Sequence, residues 1–243
     1  MTTVAPAPTA TTTTPARRTP WPYAALASGL AFGASTMFLA QGEGTFAGGA
    51  PSPATASFIV ENLNSGAVVQ LGGTLALVGL AASLVFLLGL TRFHARHAPR
   101  REGLVEALRW CSIAFLGTGG IGVVLHYVAA GGVPGGIDEA FYTPEASATI
   151  AVLADQLSFA AFLPGLAVMA VVGVLAVRDR VLPLGVGIVA LVLAAASTAA
   201  TVALGLPYSA GLVWPLFALV VGVAGIASRR TDEFPTRTAS ARS

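Results

Sequence analysis

The chain has 243 residues, 55% of them hydrophobic and only 10% charged, with a formal net charge of +2 and a mean hydropathy of +0.77. A soluble domain carries about 25% charged residues, so this composition cannot clothe a water-exposed surface and implies a polytopic membrane protein. A cytosolic enzyme, a secreted disulfide scaffold and a nucleic-acid-binding domain are excluded. The single cysteine, Cys111, excludes an internal disulfide and a CxxC redox pair.

All 13 basic residues are arginine. Together with the heavy Ala, Gly, Val and Pro usage, this points to a high-G+C bacterial coding sequence. Residues 1–20 are mostly Thr, Ala and Pro, without an apolar period, and are expected to form a disordered tail. Six apolar runs follow, at 21–40, 71–91, 110–125, 157–177, 181–204 and 210–228. A bilayer core about 30 Å thick needs roughly 20 helical residues, and only helices satisfy their own backbone in lipid at this length. A second disordered tail is expected at 229–243. The fold class is therefore all-α, a six-helix transmembrane bundle at 21–228.

The arginines set the orientation. Arg17 and Arg18 precede the first run, Arg92, Arg96, Arg100, Arg101 and Arg109 lie between the second and third, and Arg178 and Arg180 lie between the fourth and fifth. Arg229, Arg230, Arg237 and Arg242 follow the sixth, and none falls in the alternate loops 41–70, 126–156 and 205–209. The positive-inside rule makes the arginine side cytoplasmic, with both termini inside and the protein in the inner (plasma) membrane. A cleaved leader is the alternative for the first run. Its apolar stretch is longer than a typical signal-peptide core, and Gln41–Gly44 offers no A-x-A cleavage site. Trp21, Tyr23, Trp110, Tyr127, Tyr142, Tyr208 and Trp214 all fall near an expected boundary, as an interfacial aromatic belt requires. The very short turns at 178–180 and 205–209 make the last three spans adjacent and antiparallel.

Ionisable side chains in a membrane are functional suspects because each costs a few kcal/mol at the bilayer centre. Asp155 and Gln156 precede an uncharged run from Leu157 to Val177, which places them at the outer boundary. His126 follows Arg109 by about 25 Å of helix at 1.5 Å per residue, the same level. Gln70 precedes Arg92 by a comparable length. Gln70, His126, Asp155 and Gln156 thus form one expected outer polar layer, with Glu61, Asn62 and Asn64 above it. A His beside a carboxylate is an acid–base or metal-binding pair in principle; ordinary interfacial solvation is the plainer account of the same residues.

Other features carry less chemistry. Pro164 would free the carbonyl of Ala160 and kink the fourth span. His94 and His97 lie on the arginine side without a nearby cysteine or carboxylate to complete a metal site. Their loop is expected to meet anionic lipid headgroups through Arg92, Arg96, Arg100 and Arg101. Gly29-x-x-x-Gly33 has the form of a close-packing motif, and Gly117, Gly119, Gly120 and Gly122 also allow close helix approach. No GxxxxGK[ST], HExxH or GxSxG occurs, and no span carries a midplane Asp, Glu, Lys or Arg.

The stretch from Ala154 to Leu166 (ADQLSFAAFLPGL) and the run from Arg178 to Leu216, ending LVWPL, resemble small multi-spanning membrane proteins of high-G+C bacteria, the DUF4386-like group. That family carries no assigned activity, so the resemblance implies a helix bundle and transfers no functional residue. The leading expectation is a non-enzymatic accessory or scaffold bundle, with a protein partner or a second copy of the chain and without a cofactor or nucleic acid. The alternatives are a small-molecule carrier using the outer layer and a membrane enzyme using His126 and Asp155.

Overall fold

The computed structural model describes residues 19–42, 67–129, 149, 162–204 and 209–228. The expected tails, apart from Thr19 and Pro20, lie outside these residues, as do most residues of the expected outer loops. Among the described residues there are six extended α-helices and one 3₁₀ turn, and no strand. They are α1 (Trp21–Gly42), α2 (Ala67–His97), α3 (Glu102–Ala129), α4 (Leu163–Asp179), α5 (Leu184–Leu204) and α6 (Ser209–Ala227). The turn Pro99–Arg101 joins α2 to α3.

Helix is the only regular state open to these segments: long, apolar, rich in Ala, Leu and small residues, with proline mostly at their edges. Pro22 lies in the first turn of α1, Pro164 in the first turn of α4, and Pro99 opens the turn after α2. A first-turn proline forfeits no backbone bond, so the expected kink at Pro164 is replaced by a helix start: Phe162 is the N-cap and its carbonyl accepts from Gly165 N–H at 2.8 Å. Pro215 is the proline inside a helix, in α6. Among the described residues, three helical stretches are long and apolar enough to cross a membrane: Gln70–His97, Pro99–Leu125 and Leu184–Ala203. At 1.5 Å per residue α2 is about 46 Å long, so its last turns run past a bilayer core. The segment read as a basic loop from Arg92 onward is helical as far as His97.

Each helix packs against the next in sequence, and α6 returns to pack against α1, closing a ring in chain order. The expected adjacency of the last three spans is present in the α4–α5 and α5–α6 contacts. Ser28 of α1 meets Ser83 of α2 and Ser35 meets Gly72, so α1 and α2 run antiparallel. Trp21 lies against Gly225 and Gly29 against Pro215 and Leu219, so α1 and α6 are antiparallel too. The start of α1 and the end of α6 therefore share one end of the ring.

Three helix contacts are close enough to need glycine, the first where Gly89 of α2 lies directly against Cβ of Trp21 in α1. A Cβ on Gly29 would stand 2.8 Å from the Pro215 carbonyl oxygen, and one on Gly173 of α4 would stand 3.0 Å from the Gly187 carbonyl oxygen of α5. By contrast, a Cβ on Gly117 meets nothing within 4 Å, and those on Gly119 and Gly120 meet only the end of Leu80 at ordinary distance. Gly117, Gly119 and Gly120 of α3 therefore make no close backbone contact within the ring.

The interior of the ring is aromatic. Trp214 of α6 stacks on Phe115 of α3 with ring centroids 3.9 Å apart, and Phe86 of α2 packs against both Trp214 and Phe217. Trp21 stacks on Phe86 and leans on Phe93. These five residues other than Phe93 are at most 2% exposed. Trp21 and Trp214 were expected at the headgroup level; both rings are instead turned into the bundle, and their indole N–H groups have no hydrogen-bond partner. Trp110 and Tyr23 are exposed, as are Leu30, Met37, Ile113 and Val202. This outward apolar surface is what lipid requires and water penalises.

Candidate functional site

The expected outer layer is described only in part. Gln70 lies in the first turn of α2 with its side chain exposed, and its carbonyl accepts from the Thr74 hydroxyl at 2.8 Å. His126 belongs to α3, three residues before its end, and its side chain lies outside the described residues. Asp155 and Gln156 lie outside the described residues altogether. Glu61, Asn62 and Asn64 do as well. Gln70 alone of the four candidates has a described side chain, so a shared outer site has no described geometry.

The described polar chemistry gathers at the opposite end. The inward stripe of α2 runs through Ser83, Phe86, Leu87, Leu90, Phe93 and His94, all buried, at helical spacing of three and four. It therefore carries His94 to full burial. Its neighbour on the same stripe, Phe93, packs edge-on against it. Neither ring nitrogen of His94 has a hydrogen-bond partner. One turn further, His97 sits on the exposed side with Nδ1 2.9 Å from the Phe93 carbonyl oxygen.

The chain then turns tightly back. Ala98 N–H donates to the His94 carbonyl at 2.8 Å and Arg101 N–H donates to the Ala98 carbonyl at 3.0 Å. This turn brings Arg101 Nε to 3.3 Å from Asp179 Oδ1, at the far end of α4. Asp179 occupies the last helical position of α4. A carboxylate there meets the negative end of the helix dipole, an unfavourable place that a cation offsets. Arg101 supplies the cation to one oxygen; the other, Oδ2, is buried and has no hydrogen-bond partner. Asp179 and His97 are both close enough to act electrostatically on His94.

The end of the ring thus holds two turns fastened by one ion pair, with an unpartnered imidazole behind it. Nothing in the sequence links Asp179 to this turn, because it lies 78 residues from Arg101 and is flanked by arginines. The available signal was the α2 stripe, which continues inward past Arg92 and aims His94 at the bundle. Among the described residues no group of three or more His, Cys, Asp or Glu is placed to hold a metal ion.

Arginine surrounds this cluster. Arg92, Arg96, Arg100, Arg101, Arg109, Arg178 and Arg180 are all exposed. Glu106 pairs with Arg109 at 3.9 Å across one turn of α3, on the side of a shallow depression formed by Ala95, Ala98, Pro99, Glu102 and Gly103. Arg180 follows α4 in the left-handed conformation at φ 50°, its N–H donating to the Ala176 carbonyl at 3.1 Å.

A second polar feature is a seam between α1 and α2. The Ser28 and Ser83 hydroxyls are 2.6 Å apart, and the Ser35 hydroxyl donates to the Gly72 carbonyl at 2.8 Å, all buried. Every hydroxyl there is satisfied, which is what helix association in lipid calls for rather than ligand binding.

Comparison with family models, with curated proteins and with solved structures finds no match for the chain.

Proposed function

We propose that the chain is a six-span integral membrane protein with both termini cytoplasmic, acting as a non-enzymatic accessory or scaffold bundle. The observation that carries this reading is the filled interior: Trp214 on Phe115, with Phe86 and Phe217 against them, occupies the place a carrier would need for its solute. A solute path needs polar groups or water in the bundle, and intramembrane charge marks such paths. The described helices instead put their charged side chains at one end and aromatic rings in the middle.

The arrangement of the ring supports the topology. The start of α1, the end of α2 and the end of α6 lie together, because Trp21 touches both Phe93 and Gly225. The end of α4 joins them through the Arg101–Asp179 pair. All described arginines belong to this end, and the positive-inside rule makes it cytoplasmic. α3 offers an outward face of small residues, with Ala114, Gly117 and Thr118 exposed, and this is the surface a partner helix or a second copy would use.

The test is the mass of the native complex. Extraction in a mild detergent followed by native mass spectrometry is expected to give a discrete assembly above the monomer. Gly117→Leu, whose side chain would project into open space on the outward face of α3, is expected to dissociate that assembly without lowering the stability of the isolated chain. A monomer without a partner in intact membranes would overturn the reading, as would saturable solute uptake into liposomes holding the purified chain.

A further inference from the structure

We propose that His94 makes the arginine end acid-sensitive: the closed bundle holds the ring uncharged, and a proton on it drives the Ala98–Arg101 turn open. The device goes beyond the scaffold reading and works whichever side of the membrane this end faces.

The surroundings of the ring carry the inference. His94 is fully buried, packs edge-on against Phe93, and has no hydrogen-bond partner at either nitrogen. An imidazolium buried without a partner is far costlier than the neutral ring. Two neighbours act on it electrostatically. His97, one turn further along α2, repels a proton from the ring, and Asp179, at the end of α4, attracts one. Asp179 lies beyond hydrogen-bond reach of the ring. It is already engaged by Arg101, Nε to Oδ1 at 3.3 Å, and that cation offsets its pull. Glu102 at the start of α3 and Arg178 of α4 are exposed. The helices α1, α5 and α6 carry no Asp, Glu, His, Lys or Arg. No group in the closed bundle is therefore placed to hold a charged His94.

The cover over the ring is also the weakest part of this end. It is a single turn, with Ala98 N–H donating to the His94 carbonyl at 2.8 Å and Arg101 N–H to the Ala98 carbonyl at 3.0 Å. Pro99 and Arg100 within it are exposed. Its side-chain fastening is the Arg101–Asp179 pair, 42% and 21% exposed, and ion pairs so close to water hold little. Segments of this kind open locally, well short of global unfolding. The opened turn gives the imidazole to water, where it titrates at about pH 6.5. The open form then binds a proton that the closed form refuses, so by linkage the closed form loses ground as pH falls below about 6.5.

The experiment is hydrogen–deuterium exchange of the full chain in phosphatidylcholine nanodiscs at about pH 7.5 and about pH 5, corrected for the intrinsic effect of pH on exchange. The amides of Ala98 and Arg101 report the turn, and those of α5 report the rest of the bundle. At about pH 5 an exposed imidazole is protonated over neutral by roughly thirtyfold, so opening of the turn is expected to rise by up to that factor while α5 keeps its protection. His94→Leu is expected to abolish the rise, and His94→Gln, closer in shape and polarity, to abolish it too. Arg101→Gln is expected to open the turn more at both pH values and to leave their ratio unchanged. His97→Gln is expected to retain most of the rise. The proposal is overturned if the rise survives in His94→Leu, if His97→Gln removes it as completely, or if α5 loses protection in step with the turn. Greater protection of the turn at about pH 5 would also overturn it, as the mark of a protonated ring that pairs in place with the buried Oδ2 of Asp179.

Discussion

Gly29→Ala and Gly33→Ala form the sharpest pair of tests of the ring. Motif logic treats the two glycines of Gly29-x-x-x-Gly33 as equals. Their surroundings differ. A methyl on Gly29 would stand 2.8 Å from the Pro215 carbonyl oxygen and 2.8 Å from Leu219 Cγ, whereas one on Gly33 would meet only Pro215 Cβ at 3.7 Å. Leu219 can rotate away, but the Pro215 carbonyl is backbone, so α1 and α6 must separate. Overpacking of this kind costs about 1–3 kcal/mol. Replacing a helical glycine by alanine returns about 1 kcal/mol of propensity at either position, so that term cancels in the difference. Gly29→Ala is therefore expected to be less stable than Gly33→Ala by about 1–3 kcal/mol, and Gly33→Ala to equal or exceed the wild type. Reversible unfolding by SDS in mixed micelles, read by tryptophan fluorescence, measures both, since Trp21 and Trp214 are buried in the bundle. Equal losses in the two variants would refute the α1–α6 geometry. A larger loss in Gly33→Ala would place the close contact on the wrong turn of α1.

Three further tests probe the interior. Trp214→Ala removes the ring stacked on Phe115 at 3.9 Å and is expected to lose about 3–5 kcal/mol in the same unfolding assay; a loss below about 1 kcal/mol would mean the aromatic centre is not close-packed. Ser28→Ala and Ser83→Ala, taken singly and together in a double-mutant cycle, should couple by about 0.6 kcal/mol, the average for hydroxyl pairs between membrane helices; additive losses would place the hydroxyls apart. His94→Leu removes a fully buried imidazole whose nitrogens have no hydrogen-bond partner, and is expected to raise stability by about 1–3 kcal/mol; a loss of that size would reveal a partner for the ring and a role worth tracing.

Much of the fold was legible because hydropathy and charge report on it directly. The all-helical character of the described residues and the gathering of Arg92 to Arg101 with Arg178 and Arg180 at one end follow from apolar length and charge along a linear chain. The facing of individual side chains did not. Trp21 and Trp214 obey the interfacial rule by position along the chain, yet each is claimed by an aromatic neighbour across the ring, Phe86 and Phe115. Pro164 looked interior because the apolar run begins before it, while the described helix begins at Leu163. The cluster at the arginine end was hidden for a different reason. His94 and Asp179 are far apart in sequence, and only the stacking of α2, α3 and α4 in ring order brings their turns together.

Closure of the ring and assembly of its arginine end are one packing problem, and Trp21 stands at its centre. Five of the six helix contacts that make up the ring join neighbours in sequence; α1 against α6 is the exception, made between the two ends of the chain. That contact needs glycine at Gly29 and again at Gly225, where a Cβ would stand 2.7 Å from the Trp21 indole. The same indole stacks on Phe86 and leans on Phe93, one residue before His94. Trp21 therefore touches α6 on one side and the root of the His94 turn on the other. Its N–H is left without a partner, so it acts through area and shape, and smaller residues at 21 would loosen ring closure and the Arg101–Asp179 fastening together. A tryptophan at the mouth of a membrane helix is ordinarily a lipid anchor. Here its burial ties the first helix to the last and holds the turn that carries the polar cluster.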